Sequence, residues 1–359
     1  MVYLTQPDSK SSMEDFQQLL FPLRFLSNIM KVCLYLELED KLRYSGIGSA
    51  IANQRKALDL NGIPYTSNLR DDFDLIHINL MGPKSLYIAK KMRKKGKKVI
   101  IHAHLTADDF RNSYRFSNLI APFLKHYLAY CYNQADLVLC PSEYTKRILR
   151  GYGVRREICV ISNGVDIKKF SFSERKRKEF REKFELCDIT PLSVGHLFIR
   201  KGISTFIETA REFKNQFIWI GKRYKNIEDK RVSELIKNSP SNVRFINYIE
   251  DVVSAYSGSD IFFFPSYCEN QGIVLLEAAA CSRPILVRDI PTYSGWLRDE
   301  FNCLKAKTDE EFKIQMRRLL NDEWLRERLS KNAHKLALKH SLENIGRKLK
   351  EIYEFVLRE

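Results

Sequence analysis

Residues 269–281 read ENQGIVLLEAAAC, and packing alone gives no reason for the acids in them. Positions 273–281 are apolar apart from Glu277, so a helix there is buried all round. An unpaired buried carboxylate is strongly unfavourable, so Glu277 needs partners. Two adjacent ligand hydroxyls would serve; so would an ion pair with Arg288 on the next strand. Gly272 stands where that helix starts. A helix start offers free N–H groups and the positive end of the helix dipole, which together bind phosphate or sugar oxygens. If 269–277 were one helix, the eight steps from Glu269 to Glu277 would turn the two acids about 80° apart. Glu269 is therefore expected in the loop, reaching a ligand from another side.

Other stretches carry weaker signals of the same kind. In RYSGIGSA (43–50), Gly46 and Gly48 would let a loop pass close to a phosphate or sugar, or simply make a turn. In VIIHAHLT (99–106), period-2 alternation puts His102 and His104 on one face of a strand. His77 lies on a neighbouring strand and could support them from behind; the alternative for His104 and His77 is a satisfied core histidine. DDFD (71–74) has the look of a metal-binding DxD but precedes its strand, so a solvated loop and no metal are expected.

These residues need elements to hold them. Strand-like runs at 31–38, 73–80, 97–105, 136–140 and 157–164 are apolar on both faces, as in a parallel sheet covered by helices. Helical stretches at 48–60, 84–95 and 116–133 lie between them. A second alternation has strands at 190–197, 216–221, 242–247, 260–266 and 284–289, and helices at 202–213, 250–257 and 272–282. From 309 to 359 the pattern is nearly all helical. The charged stretch 166–186 is the best boundary, giving domains over 30–170 and 171–342. Residues 1–29 are expected to be an accessory segment or a misassigned start, since MKVCLYLELE from Met30 reads as a first strand. Two α/β domains place a ligand in the cleft between them, at the carboxyl ends of the strands.

The 359 residues, 44% hydrophobic, suffice for two cores. Sixty Lys and Arg against 44 Asp and Glu leave a net +16, which points to an anionic partner. The excess is +10 in residues 1–170 and +6 in the rest. KKMRKKGKK (90–98), with Lys90, Lys91, Arg93, Lys94 and Lys95, suits an anionic membrane surface or is an exposed helix end. Residues 111–132, with Tyr114 and Phe116, mix aromatic, apolar and basic side chains; they suit a membrane interface or a core helix. No nucleic-acid module is recognisable. The eight cysteines form no CxxC pair and read as reduced thiols of a cytosolic protein. No apolar run approaches the roughly 20 residues of a membrane span.

ENQGIVLLE resembles the E-x7-E motif of family 4 glycosyltransferases, retaining enzymes of the GT-B fold. SGIGSA, SVGHLFIRKG, FIETAREFKNQFIWIG, FFFPSYCENQGIVLLEA and LVRDIPTYSGWL extend the resemblance over nearly the whole chain from Met30. It is closest to the branch that adds a second sugar to glycosyl-diacylglycerols. The resemblance implies an α/β GT-B protein with two Rossmann-like domains, the terminal helix 343–359 packing back on the first. It implies a hexosyltransferase that uses a nucleotide sugar, UDP-glucose or UDP-galactose, with no bound cofactor. The acceptor would be a membrane glycolipid, or alternatively a polysaccharide or polyprenyl-linked glycan, and the protein peripheral on the inner face of the cell membrane.

Roles follow by position. Glu269 would contact the donor sugar, the N–H groups around Asn270, Gln271 and Gly272 would cradle sugar and phosphate, and Glu277 would hold the ribose. Lys201, helped by Arg200, would stabilise the charge of the departing diphosphate. His196 stands where the family usually has Arg and would be charged only part of the time near neutral pH. His104 would donate to a sugar hydroxyl or the phosphate. Gly46 and Gly48 would approach the donor, and Tyr248, in FINYIE (245–250), would help to form the base pocket. Retention would follow a front-face route in which the departing diphosphate takes the acceptor's proton.

Overall fold

The computed structural model describes residues 30–359; the segment 1–29 lies outside them. The first half runs β1 (Val32–Tyr35), α1 (Glu39–Leu42), α2 (Gly46–Leu60), β2 (Tyr65–Thr66), β3 (Leu75–Ile78), α3 (Pro83–Lys94), β4 (Lys98–His102), α4 (Ala107–Phe110), α5 (Ser117–Tyr132), β5 (Leu137–Cys140), α6 (Glu143–Gly151) and β6 (Glu157–Val160). The second half runs α7 (Glu174–Phe184), β7 (Pro191–Val194), α8 (Ile203–Ala210), β8 (Phe217–Ile220), α9 (Lys230–Lys237), β9 (Val243–Ile246), α10 (Val252–Gly258), β10 (Ile261–Phe264), α11 (Ile273–Ala280), β11 (Ile285–Arg288), β12 (Leu304–Ala306), α12 (Asp309–Asn321), α13 (Glu323–Lys339) and α14 (Leu342–Arg358).

Two parallel six-stranded sheets result, in the orders β2-β1-β3-β4-β5-β6 and β12-β11-β10-β7-β8-β9. The central strands are buried on both faces; all four residues of IFFF in β10 are fully covered. The strand order reverses between β1 and β3, and again between β7 and β10. A reversal opens a crevice at the carboxyl ends of the strands. The chain leaving β1 leads to Tyr44 and Gly46, and β4 leads to His104. The chain leaving β7 leads to His196 and Lys201, and β10 leads to Glu269. The α/β fold class read from the alternation is the one observed.

Particular elements differ from expectation. The charged stretch 166–186 contains α7, whose single buried side chain, Phe180, packs under α10 beside Gly258. β2 and β12 are too short to leave a periodic signal, and α6 and α9 were not anticipated. α14 returns to the first half, where Ile345, Leu349, Ile352 and Tyr353 pack with Val32, Leu34 and Leu58. DDFD precedes β3, at the end of the sheet away from the crevice. Asp71 accepts from Thr66 Oγ1 at 2.6 Å, Asp72 from Lys97 at 3.2 Å, and Asp74 from the Lys31 N–H at 2.7 Å. All eight cysteines are unpaired, and five of them are buried.

Candidate active site

Between the two sheets lies a cleft of about 410 Å³. Its second-sheet wall is built from the β10–α11 connection. Gly272 enters α11 with φ +85°, a left-handed conformation that glycine adopts without strain. Among the described residues no protein acceptor meets the N–H groups of Gly272, Ile273 and Val274. A helix start with free N–H groups is thus present where the sequence suggested one, an arrangement able to receive an anion. The side chains before it are anchored across the cleft. Asn270 Nδ2 donates to His104 O at 2.9 Å, and Asn163 N–H donates to Gln271 Oε1 at 2.9 Å. Gln271 Nε2 donates to Ser162 Oγ at 2.7 Å. Asn270 and Gln271 thus tie the two halves together and leave only their backbone to a ligand.

The two acids stand on either side of this mouth in different electrostatic states. Glu269 is in the loop and accepts from Lys201 Nζ at 2.5 Å and Ser266 Oγ at 2.6 Å, with Arg200 at 3.6 Å. Burial pushes its carboxyl up, but the Lys201 and Arg200 cations outweigh that and hold it below the usual range. Glu277 is inside α11, where Tyr256 Oη at 2.8 Å is its one partner among the described residues. Burial therefore pushes the Glu277 carboxyl up. Arg288 does not reach it: that guanidinium bonds Pro265 O at 3.0 Å and Thr205 Oγ1 at 2.7 Å and lies over the Tyr267 ring. The ion-pair alternative for Glu277 is excluded, and its carboxylate faces the cleft short of donors.

The cations are arranged otherwise than expected. Lys201 lines the cleft beside Glu269. Arg200 reaches the opposite half, with Nη1 at 2.9 Å from Asp109 and Nε at 2.7 Å from Ser113 Oγ, while Nη1 also donates to Cys268 O in its own half at 3.0 Å. His196 sits between the Tyr224 and Phe198 rings, at 5.2 and 5.5 Å. Burial, followed by the Lys201, Arg200 and Lys222 charges, brings its pKa down to about 4. His196 is therefore uncharged near neutral pH rather than partly charged.

On the first-sheet wall, His104 reaches the cleft, and burial holds its pKa at about 3. Its Nε2 lies 3.0 Å from Asn79 Oδ1, an atom that can only accept. The Nε2 proton is thus used inside the protein, and His104 offers a ligand an acceptor rather than the expected donor. His102 shares its face, with ring centroids 3.9 Å apart, but is buried behind it. His77 is fully buried farther back.

Gly46 borders the cleft with open space beside it. Gly48 does not: a Cβ there would lie 2.3 Å from Leu42 O, so this glycine serves the turn, not a ligand. Tyr248 borders the cleft half-exposed, its ring 4.6 Å from that of Tyr44. Tyr114 borders it edge-on to Phe198. Lys90, Lys91, Arg93, Lys94, Lys95 and Phe116 lie on the outer surface. Sequence reasoning missed Asp109, Lys222 and Tyr256, whose relevance depends on contacts distant along the chain. The only signal was for Lys222, which directly follows the strand run 216–221.

Residues 45–169 match the family described as Glycosyltransferase Family 4, and residues 174–336 match Glycosyl transferases group 1. A processive diacylglycerol α-glucosyltransferase of Acholeplasma laidlawii is 37% identical over 335 residues, covering 92% of this chain and 99% of that one.

The chain belongs to glycosyltransferase family 4.

An α-galactosylglucosyldiacylglycerol synthase of Streptococcus pneumoniae is 24% identical, covering 68% of each chain. Among solved structures, Anabaena HepE in complex with UDP and glucose superposes with a TM-score of 0.76 at 17% identity, over 90% of this chain and 99% of that one. That likeness is one of fold. The two sheets with a cleft between them are the GT-B architecture, and the family's chemistry, glycosyl transfer, is that of this enzyme.

Proposed function

We propose that the protein moves glucose or galactose from its UDP-sugar to a glycosyl-diacylglycerol at an anionic membrane surface, with retention at the anomeric carbon. The observation that carries the acceptor assignment is the outer face of α5. Its inner face, with Ala121, Leu128 and Cys131, packs in the core. Its outer face would ordinarily be polar. Instead Leu119 is 69% exposed, Phe123 75%, and Phe116 just before the helix 62%, with Ile120 beside them. A contiguous exposed apolar stripe marks a surface meant to be covered. Arg115 stacks over Phe116, and Lys90 of α3 donates to Tyr130 Oη at 2.6 Å. Basic side chains thus stand beside the stripe, as on a helix lying in an anionic interface. Tyr114, two residues before Phe116, borders the cleft. A lipid held at the stripe would have its headgroup near the reacting centre. Among the described residues no helix is long and apolar enough to cross a membrane, so docking rather than spanning is proposed. The Acholeplasma and Streptococcus relatives named above, both diacylglycerol glycosyltransferases by name, favour the same acceptor class.

In the cleft, the free N–H groups at Gly272 and the Lys201 ammonium would receive the diphosphate, Glu277 the ribose and Glu269 the sugar, with the base between Tyr248 and the β9 end. As the C1–O bond to the diphosphate breaks, the fixed N–H groups and Lys201 stabilise the charge gathering on the leaving oxygen. The acceptor oxygen bonds C1 from the same face, and its proton passes to the leaving diphosphate. Glu269 serves by position and charge, being held as a carboxylate by Lys201.

The test is UDP release from UDP-glucose and UDP-galactose, with and without glycosyl-diacylglycerol in anionic vesicles, beside flotation of the protein on the same vesicles. The proposal expects flotation, and release that depends on the lipid. Release that is equal with a soluble sugar acceptor, in a protein that does not float, would point to a soluble glycan instead.

A further inference from the structure

One group of buried polar side chains has no part in this scheme. Behind His104, away from the cleft, Asn79, Gln54, His77 and Tyr353 form a continuous hydrogen-bonded chain. Asn79 Oδ1 accepts from His104 Nε2, and Asn79 Nδ2 donates to Gln54 Oε1 at 2.9 Å. Gln54 Nε2 donates to His77 Nδ1 at 2.6 Å, and Tyr353 Oη lies 2.8 Å from the same nitrogen. All four side chains are buried, on β3, α2, α14 and the residue after β3. From His104 through Asn79 and Gln54 the donors run one way, away from the cleft; Gln54 Nε2 also donates to Tyr353 Oη at 3.4 Å. With His104 Nε2 set against Asn79 Oδ1, reversing either amide alone would set donor against donor or acceptor against acceptor along the chain.

We infer that this chain locks His104 as its Nε2–H tautomer, with Asn79 as the positioning residue, so that Nδ1 presents a lone pair to a hydroxyl of the bound sugar. The inference rests on the reading of the cleft as a sugar-nucleotide site and adds the sense of one contact in it. Nδ1 has no protein partner among the described residues. His102, stacked at 3.9 Å, holds the ring plane. A bare Nδ1 accepts from a hydroxyl but meets a phosphate oxygen lone pair to lone pair. The site therefore favours the sugar over the diphosphate at this wall and sets the direction in which the donor lies. Tyr353 carries the lock out to α14, the helix that returns from the second half of the chain.

The experiment is a long-range proton–nitrogen correlation spectrum of the protein labelled with 15N-histidine, the His104 signals being assigned by their loss in His104→Gln. The expected spectrum has His104 protonated at Nε2 and bare at Nδ1 near neutral pH. In Asn79→Leu, Nδ1-protonated His104 should appear, kcat/KM for the donor should fall about tenfold, and adding His104→Ala should cost less than a further twofold, because the two residues act as a unit. Wild-type His104 protonated at Nδ1, or additive losses in the double variant, would overturn the inference. If Asn79→Leu does not fold, Asn79→Asp replaces it. Its carboxylate should draw a second proton onto Nδ1, and an Nδ1 that stays bare with donor affinity unchanged would equally overturn it. The tautomer is read without turnover, so an absence of transferase activity would count against the cleft assignment alone.

Discussion

Glu269 and Glu277 are both buried, and their surroundings drive them in opposite directions. Glu269 has Lys201, Ser266 and Arg200 around it and is held ionised. Removing it strands the Lys201 charge and takes away the proposed sugar contact. Glu269→Ala is expected to reduce kcat/KM for transfer more than tenfold, or about 1.4 kcal/mol of barrier. A smaller loss in a radiolabelled-donor assay would count against its role. Among the described residues Glu277 has only Tyr256 as a hydrogen-bond partner, and its pKa is raised in the folded state. Such a group binds more protons folded than unfolded, so its charge weakens the fold as pH rises past the ordinary carboxylate value. Glu277→Gln keeps the Tyr256 bond and removes that charge. At neutral pH the free protein should melt higher, by roughly 2 °C or more per kcal/mol relieved. UDP should bind about tenfold more weakly, or about 1.4 kcal/mol. A lower melting temperature with unchanged UDP affinity by calorimetry would show that the acid is structural.

Among the elements, α5 carries the sharpest departure from ordinary packing, being apolar on both faces. Leu119→Asp with Phe123→Asp should remove two apolar anchors, each about 1.5–3 kcal/mol when buried. Partitioning onto anionic vesicles should fall at least tenfold while UDP affinity is unchanged; undiminished partitioning would place the membrane contact elsewhere. What the sequence showed of the elements follows from how locally each is determined. Strands such as IFFF in β10 are buried on both faces, so four consecutive apolar residues announce them. β2 and β12 hold two and three residues and leave no pattern. α7 reads as a charged linker because Phe180 is its only buried residue. The site was legible where one short stretch contains it: ENQGIVLLE holds both acids and the glycine. It was not legible where partners are distant. Tyr256 lies 21 positions from Glu277, and nothing local joins Asp109 to Arg200. Gly48 misled because a glycine needed by a turn looks the same in sequence as one needed by a ligand.

Across the whole molecule, the halves are joined by polar side chains as well as by the returning α14. Several buried groups are kept neutral along the way. His77 and His104 have pKa values of about 3, His196 and His340 of about 4, and His102 lies well below its ordinary value, burial being the first cause in each. Each binds a proton in the unfolded chain below about pH 6.5. Acid therefore favours unfolding, and this stability is lost as pH falls from that value toward the folded values. Glu277 and Asp109, both raised by burial, oppose the trend, whereas Glu228, Asp229, Glu269 and Glu300, held below the usual carboxylate range by their partners, add to it. The urea midpoint should be clearly lower at about pH 5 than at about pH 7.5; equal midpoints would mean that the fold does not hold these imidazoles neutral. The central claim is that this cleft delivers a hexose to a lipid at the membrane surface. The most direct measurement is mass spectrometry of the lipids recovered from anionic vesicles that contain glycosyl-diacylglycerol, after incubation with the protein and UDP-glucose or UDP-galactose. The account predicts a lipid heavier by one hexose, α-linked by NMR and lost in Glu269→Ala. Unmodified lipid with both donors, from protein that binds UDP, would contradict it.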